Sequence, residues 1–427
     1  MEEGQGPRSP IALALLSIVV GSLVGLVGAI FRLGLQRGDE LRTSFIERAH
    51  SWGWSGFVLI LSGTALATGI AAWMVRRFAP QSSGSGIPHV ERQLKVGWSG
   101  NPAAIVVVKF VGGLLAIGSG LALGREGPTV QIGSGIGQLI GKAYRRNQNE
   151  CRVLLAAGAG AGLATAFNAP IAGAIFVLEE LVGGFDIPVT IATLGSSAGA
   201  IAISRVFLGH APDFHVASLG YPGFATVPVH LVLGTVIGLL GVAYNRTVLG
   251  ALALAARLSQ IRVEWRAAVI GAMVGLLGWF EPSLVGGGDH ITQQVLNGNV
   301  LLGALGGAFL IRFLLGPVSY AARTPGGLFA PMLTIGSQSG LLFAALWCRW
   351  FPHNSSLPQE FAIVGMAAFF ASVVRAPITG IILVIELTGS VSLLLPMLGA
   401  TFAAVTIATI LKDPPIYDSL RELPAKS

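Results

Sequence analysis

Charge is what this chain lacks. Asp, Glu, Lys and Arg make up 11% of its 427 residues, against about 25% in a soluble domain. Five stretches contain none at all: Pro10 to Phe31, Val153 to Leu178, Ile187 to Ser204, Thr324 to Cys348 and Leu387 to Leu411. A membrane-spanning helix takes about 20 apolar residues, and a water-soluble fold would have to bury all of these runs at once. Long polar segments are also missing. The connectors, such as RRNQNECR, RLSQIRVEWR and CRWFPHNSSLPQE, are short, which leaves one membrane domain over 1–427 and no appended cytoplasmic domain. Cysteine is scarce, and Cys151 and Cys348 have no metal-ligand spacing, so no metal site is expected and both read as small hydrophobes. The net charge of +7 is spread thinly, with no basic run interleaved with aromatics. That argues against nucleic acid and fits contact with anionic lipid headgroups. The segment before the first apolar run, MEEGQGPRSP, mixes both signs, and the run is longer than the 7–15 residues or so of a signal peptide. It reads as a retained first span.

Glycine, by contrast, is abundant at 59 residues. Spacings of four, as in Gly21–Gly25 and Gly133–Gly137–Gly141, let helices approach closely in lipid, where packing drives association. An internal repeat is also present. APIAGAIFVLEEL from Ala169 matches APITGIILVIELT from Ala376, and GREGPTVQIGS from Gly124 matches GLFAPMLTIGS from Gly327. The separations are 207 and 203 residues. Duplicated halves, approximately 10–205 and 228–420, with Gly- and Pro-interrupted apolar segments at matching places, mark a transporter fold whose substrate site lies between them.

Three segments carry the chemistry: GSGIP (Gly84 to Pro88), GREGP (Gly124 to Pro128) and GLFAP (Gly327 to Pro331). In each, proline suits the first turn of a helix, so each reads as a loop delivering a helix N-terminus. Free N–H groups and the positive dipole end make such termini anion sites. Glu126 stands at one of them. Its carboxylate is a tethered anion that can fill the site, and protonation removes the attraction, which makes it a proton-coupled gate. The competing reading is an Arg125–Glu126 ion pair, which sequence neighbours seldom form. A second helix is expected from Pro170 to Gly183–Gly184, with Glu179 and Glu180 in its last turns. Glu179 aligns with Glu386 in the second half and is expected to share a structural task with it. Glu180 aligns with Leu387, and this extra acid is the better proton carrier. Its rival reading is a solvated residue at a helix end.

GSGIP, GREGP, GGLFAP and the late tyrosine of DPPIYDSL, in this order, together resemble the CLC family of chloride channels and proton-coupled chloride transporters. The resemblance implies an all-α polytopic membrane protein built from two inverted-topology repeats of tilted, partly broken helices. It also implies a homodimer with one pore per subunit in a bacterial inner membrane, and chloride and protons as the transported ions with no cofactor. Ser85 and Tyr417 would supply hydroxyls to chloride. The backbone amides of Ile87, Gly327, Leu328, Phe329 and Ala330 would line its path. Glu126 would be the external gating glutamate and Glu180 the internal proton glutamate. Serine at 85 is similar to chloride-preferring members, where proline would imply nitrate and methionine fluoride. His89 departs from the acid many relatives carry there and reads as an interfacial histidine; Lys109 and Glu91 match charged positions in relatives.

The expected function is chloride/proton antiport, with a passive channel on the same fold as the alternative. GSSAG (Gly195 to Gly199) matches the hydrolase pattern around Ser197, but that pattern needs a strand-turn-helix context that an uncharged run does not offer, so no enzyme is expected. GAGAG from Gly158 reads as helix packing. His210, Asp213 and His215 in GHAPDFH read as a solvated turn.

Overall fold

The computed structural model describes residues 9–97, 99–216, 219–220, 223–298, 300–351 and 358–422; the first eight residues and the middle of the CRWFPHNSSLPQE connector, 352–357, lie outside them. The described chain is helical. The first half comprises α1 (Pro10–His50), α2 (Trp54–Phe78), α3 (Ile87–Val96), α4 (Pro102–Gly118), α5 (Glu126–Ala143), α6 (Gln148–Phe167), α7 (Pro170–Phe176) and α8 (Ile187–Leu208). The second comprises α9 (Val227–Arg257), α10 (Val263–Phe280), α11 (Asp289–Leu296), α12 (Leu302–Ala321), α13 (Phe329–Trp350), α14 (Pro358–Val374), α15 (Pro377–Thr388), α16 (Leu394–Ile410) and the short α17 (Ile416–Glu422). Nine helical segments among the described residues are long and apolar enough to cross a membrane, and α4, α14 and α15 are shorter apolar pieces.

The two halves pack by the same contacts. In the first, Gly21 and Gly25 of α1 press on the backbone of Ser196 and Ala200 of α8; in the second, Gly234 and Gly238 of α9 press on Ala400 and Ala404 of α16. Gly133 of α5 meets Gly158 of α6, and Gly336 of α13 meets Gly365 of α14, each backbone lying where the other's Cβ would go. The spaced glycines are therefore the crossing points of helix pairs. The pairs α5–α6 and α13–α14 form the interior. Every residue of α14 from Glu360 to Val374 is buried, and the same apolar core continues through Leu155, Leu163, Phe329 and Phe369 of both halves.

The inverted relation is visible where α7 meets α15. The Glu179 carboxylate accepts the N–H groups of Ile378 (3.0 Å) and Thr379 (2.7 Å) at the start of α15. Glu386, near the end of α15, accepts those of Ile171 (3.1 Å) and Ala172 (2.7 Å) at the start of α7. Each acid caps the other repeat's helix, which satisfies orphan N–H groups and complements the dipole. Only antiparallel partners can exchange end-caps in this way. Glu179 and Glu386 do share one structural task. Glu386→Ala is expected to lower unfolding stability by about 1–2 kcal/mol, seen as an earlier thermal transition in detergent. An unchanged transition would remove the cap from the stability argument.

The helix from Pro170 ends at Gly183 in the left-handed conformation, φ 72°, as its sequence requires. Its C-terminal part differs from expectation: Val177–Val182 is wound as a π-helix. Such segments are rare and concentrate at functional sites, and this one carries Glu179 and Glu180.

Candidate functional site

The three glycine-containing loops meet in the buried interior and are sewn together by backbone hydrogen bonds. Gly84 N–H donates to Thr324 O (3.1 Å), and Gly326 N–H to Gly84 O (3.0 Å). Gly124 and Gly327 exchange a reciprocal pair, each N–H on the other's carbonyl at 2.8 Å. The GLFAP loop thus lies between GSGIP and GREGP, and α3, α5 and α13 begin at Ile87, Glu126 and Phe329. From α4, buried Lys109 donates Nζ to the Gly84 carbonyl at 2.6 Å, fixing the GSGIP loop from behind.

Glu126 is fully buried. Its Oε1 accepts Phe329 N–H at 2.6 Å and Ala330 N–H at 3.4 Å. The carboxylate therefore occupies the N-terminus of α13, across the pseudo-repeat, although the residue itself opens α5. Oε2 has no hydrogen-bond partner among the described residues. The carboxyl group lies where a Cβ on Gly124 or Gly327 would stand, so glycine at these two positions is a condition of its approach. The Gly327 amide is committed to Gly124 O and is not a free donor in this arrangement, which leaves Phe329 and Ala330 as the amides that reach the acid.

The Arg125–Glu126 pair does not form. Arg125 turns away and holds Asp213 (2.9 Å), Asp289 (2.9 Å) and the Ala166 carbonyl (2.8 Å). Asp213 also takes Arg32 at 2.6 Å, and its side chain is only 6% exposed. The expected solvated turn is thus corrected at Asp213. Two inward-facing guanidinium groups need a counter-charge, and the loop folds in to supply it, while His210 and His215 stay exposed. Among the described residues no three His, Cys, Asp or Glu side chains gather as a metal site. Ser197 lies buried inside α8, a helix interior and not a nucleophile elbow.

Ser85 and Tyr417 are both fully buried. Ser85 Oγ accepts Ile87 N–H at 3.3 Å, while Tyr417 Oη has no partner among the described residues. A buried hydroxyl without a partner is costly and marks a place where a ligand can be held. Tyr417 packs on Phe329 with ring centroids 5.9 Å apart, and Phe370 (4.7 Å), Phe176 (5.6 Å) and Phe167 (6.5 Å) surround the same ring. This aromatic cluster holds the first residue of α13 in place. Motif reading missed Tyr320, whose Oη accepts Ser85 N–H at 3.3 Å and lies 3.5 Å from Ser85 Oγ. The signal available was a tyrosine seven residues before Gly327 at the end of an apolar run.

Glu180 is half-buried on the π-wound segment. Among the described residues no hydrogen bond holds it, in contrast to Glu179. It shares its electrostatic surroundings with Glu91, Asp418 and Lys95. Glu91 itself is buried and paired with Arg421 at 2.7 Å. His89 is half-buried, with Nδ1 3.0 Å from the Gln131 amide nitrogen and Nε2 3.3 Å from Ser99 Oγ.

Comparison with known proteins agrees with this geometry. The chain is 36% identical over 423 residues to the H(+)/Cl(-) exchange transporter ClcA of Vibrio cholerae, covering 97% of this chain and 90% of that protein. It is 35% identical over 427 residues to the ClcA of Salmonella arizonae. A crystal structure of a slow cyanobacterial Cl−/H+ antiporter superimposes with a TM-score of 0.93 at 32% identity, covering 98% of both chains. Residues 67–409 match the voltage gated chloride channel family, and the chain belongs to that family, the CLC proteins.

Proposed function

We propose that this chain is a secondary transporter that exchanges chloride for protons across a membrane. One observation carries the reading most directly. A buried carboxylate sits on a helix N-terminus with one oxygen bound by backbone amides and the other without a partner. An anion held there competes for the same N–H groups as chloride does, and the orphaned oxygen is where a proton adds. Relatives that cover nearly the whole chain are named as chloride/proton exchangers, which supports the same reading.

In this mechanism chloride lies among the Ser85 and Tyr417 hydroxyls, with Tyr320 orienting Ser85, and the Ile87, Gly327, Leu328, Phe329 and Ala330 backbone lines its path. Ionised Glu126 holds the N-terminus of α13. Protonation cancels its attraction to the dipole, worth roughly 0.3–2 kcal/mol, and chloride takes its place. Glu180 passes protons to and from the opposite side. The unit is a single transport domain with halves near 10–205 and 228–420, working as a homodimer with one path per subunit in a bacterial inner membrane, without a resident cofactor.

The test is purified protein in liposomes with a chloride gradient and a proton electrode outside. Proton movement against its own gradient, driven by chloride, is expected. Rapid chloride flux with no coupled proton movement would replace the antiporter with a passive channel, and absence of chloride flux would remove chloride as the substrate.

A further inference from the structure

The two openings toward the glycine loops differ in charge. The opening beside Glu126 is a cavity of about 740 Å³ whose walls carry both signs, with Asp39, Glu40, Glu281 and Asp289 set against Arg42 and Arg125. The opening beside Ser85, about 470 Å³, is bounded by Gly84, Gly86 and Tyr320 and is lined by Arg76, Arg92, Arg266 and Arg323, with no acid in its wall. Arg76 is the one of the first three to meet a carboxylate, Glu264 at 2.5 Å. Arg92 donates to the carbonyl of Arg421 at 2.8 Å, and Arg266 to that of Ala255. Carbonyls satisfy these donors without neutralising the charge. Arg266 and Arg323 lie close enough to repel each other, and Arg266 keeps a buried Nε without a partner.

Arg323 follows α12 in the left-handed cap conformation, φ +58°, as Arg145 and Arg375 do at other helix ends, and it contributes the fourth guanidinium of the wall. Guanidinium forks match phosphate oxygens in pairs, and the cavity is within the roughly 300–1,000 Å³ range of small-molecule sites.

Resting on the transport reading above, we infer that the Ser85-side opening is a binding site for a multivalent phosphate, which docks on Arg92, Arg266 and Arg323 and blocks the anion path. The Gly84–Gly86 turn and the Tyr320 ring form the floor of the cavity, so a bound polyphosphate plugs the entrance and does not follow chloride inward.

The probe is sodium triphosphate. Chloride efflux from proteoliposomes carrying it on both faces is expected to be blocked, with half-block at a concentration at least about tenfold higher in the Arg92→Gln/Arg266→Gln variant, since each substitution removes a charged fork. Calorimetry of detergent-solubilised protein should show triphosphate binding that weakens in parallel. Sulfate at equal ionic strength should block far less; equal block would mean simple screening and overturn the site. Absence of both block and binding heat, or block unaltered in the variant, would also overturn it. Efflux without triphosphate reports separately on the transport reading, and the calorimetry does not depend on it. Vesicles of phosphatidylcholine alone and with phosphatidic acid, whose phosphomonoester ionises twice, distinguish the phosphate source. Equal triphosphate block in both assigns a soluble phosphate. Wild-type efflux already slowed by phosphatidic acid, with the variant unaffected, assigns a lipid headgroup.

Discussion

Glu126→Gln is expected to abolish chloride-driven proton movement while chloride flux continues. The carboxylate accepts Phe329 and Ala330 N–H through Oε1 and leaves Oε2 without a partner. Glutamine keeps the shape and loses the charge, and it cannot bind and release a proton in the working pH range. Hydrogen bonds to a charged group contribute about 1.5–3 kcal/mol, against about 0.5–1.5 kcal/mol for neutral ones. The amide is therefore a weaker competitor for the start of α13, and chloride should enter the site more readily. Flux is expected to stay within about tenfold of the parent, a change of about 1.4 kcal/mol, and the proton signal should fall to the protein-free background. The liposome electrode assay reads both ions in one experiment. Proton pumping that survived the substitution would remove Glu126 as the gate.

Glu180→Gln should have the second largest effect, and of the same kind. Proton movement is expected to fall by at least about a hundredfold, the lower end of the loss typical of removing a proton-transfer group, while chloride binding measured by calorimetry stays as in the parent. The structural contrast with Glu179 sustains this expectation. Glu179 holds two backbone amides and the Thr379 hydroxyl, whereas Glu180, its neighbour on the same π-wound turn, is half-buried without such bonds. A side chain that supports nothing can move and carry a proton. Its repeat-related position is Leu387, so the fold does not require an acid there. Glu179→Gln is the matched control, expected to reduce thermal stability without selective loss of proton coupling. Undiminished proton transport in Glu180→Gln would return that residue to the solvated helix end.

Much of this was legible in residue order. Charge-free runs gave the spans, because burial in lipid penalises charge wherever it falls. Gly followed by Pro gave the three helix starts at Ile87, Glu126 and Phe329, because these residues act on their own backbone angles. The repeat separated Glu179 from Glu180 because equal positions in duplicated halves meet equal surroundings. Each of these signals acts over a few residues or is a property of composition.

Other features were invisible in the chain, for one shared reason. Glu126 sits on the N-terminus of α13, with its partner Phe329 lying 203 positions away. Arg125 ignores its neighbour for Asp213 and Asp289, 88 and 164 positions distant. Tyr320 reaches Ser85 across 235 positions, and four arginines from separate segments converge on one opening. Local propensity cannot rank such encounters, since they depend on which helix ends the packed interior brings to the same point. Residue order alone establishes a membrane-embedded, duplicated helical chain with anion-seeking helix ends and two notable acids. Which end each acid occupies follows from the packing, because helix N–H groups and dipoles act within about one turn, and their partners are chosen when the two halves close on each other.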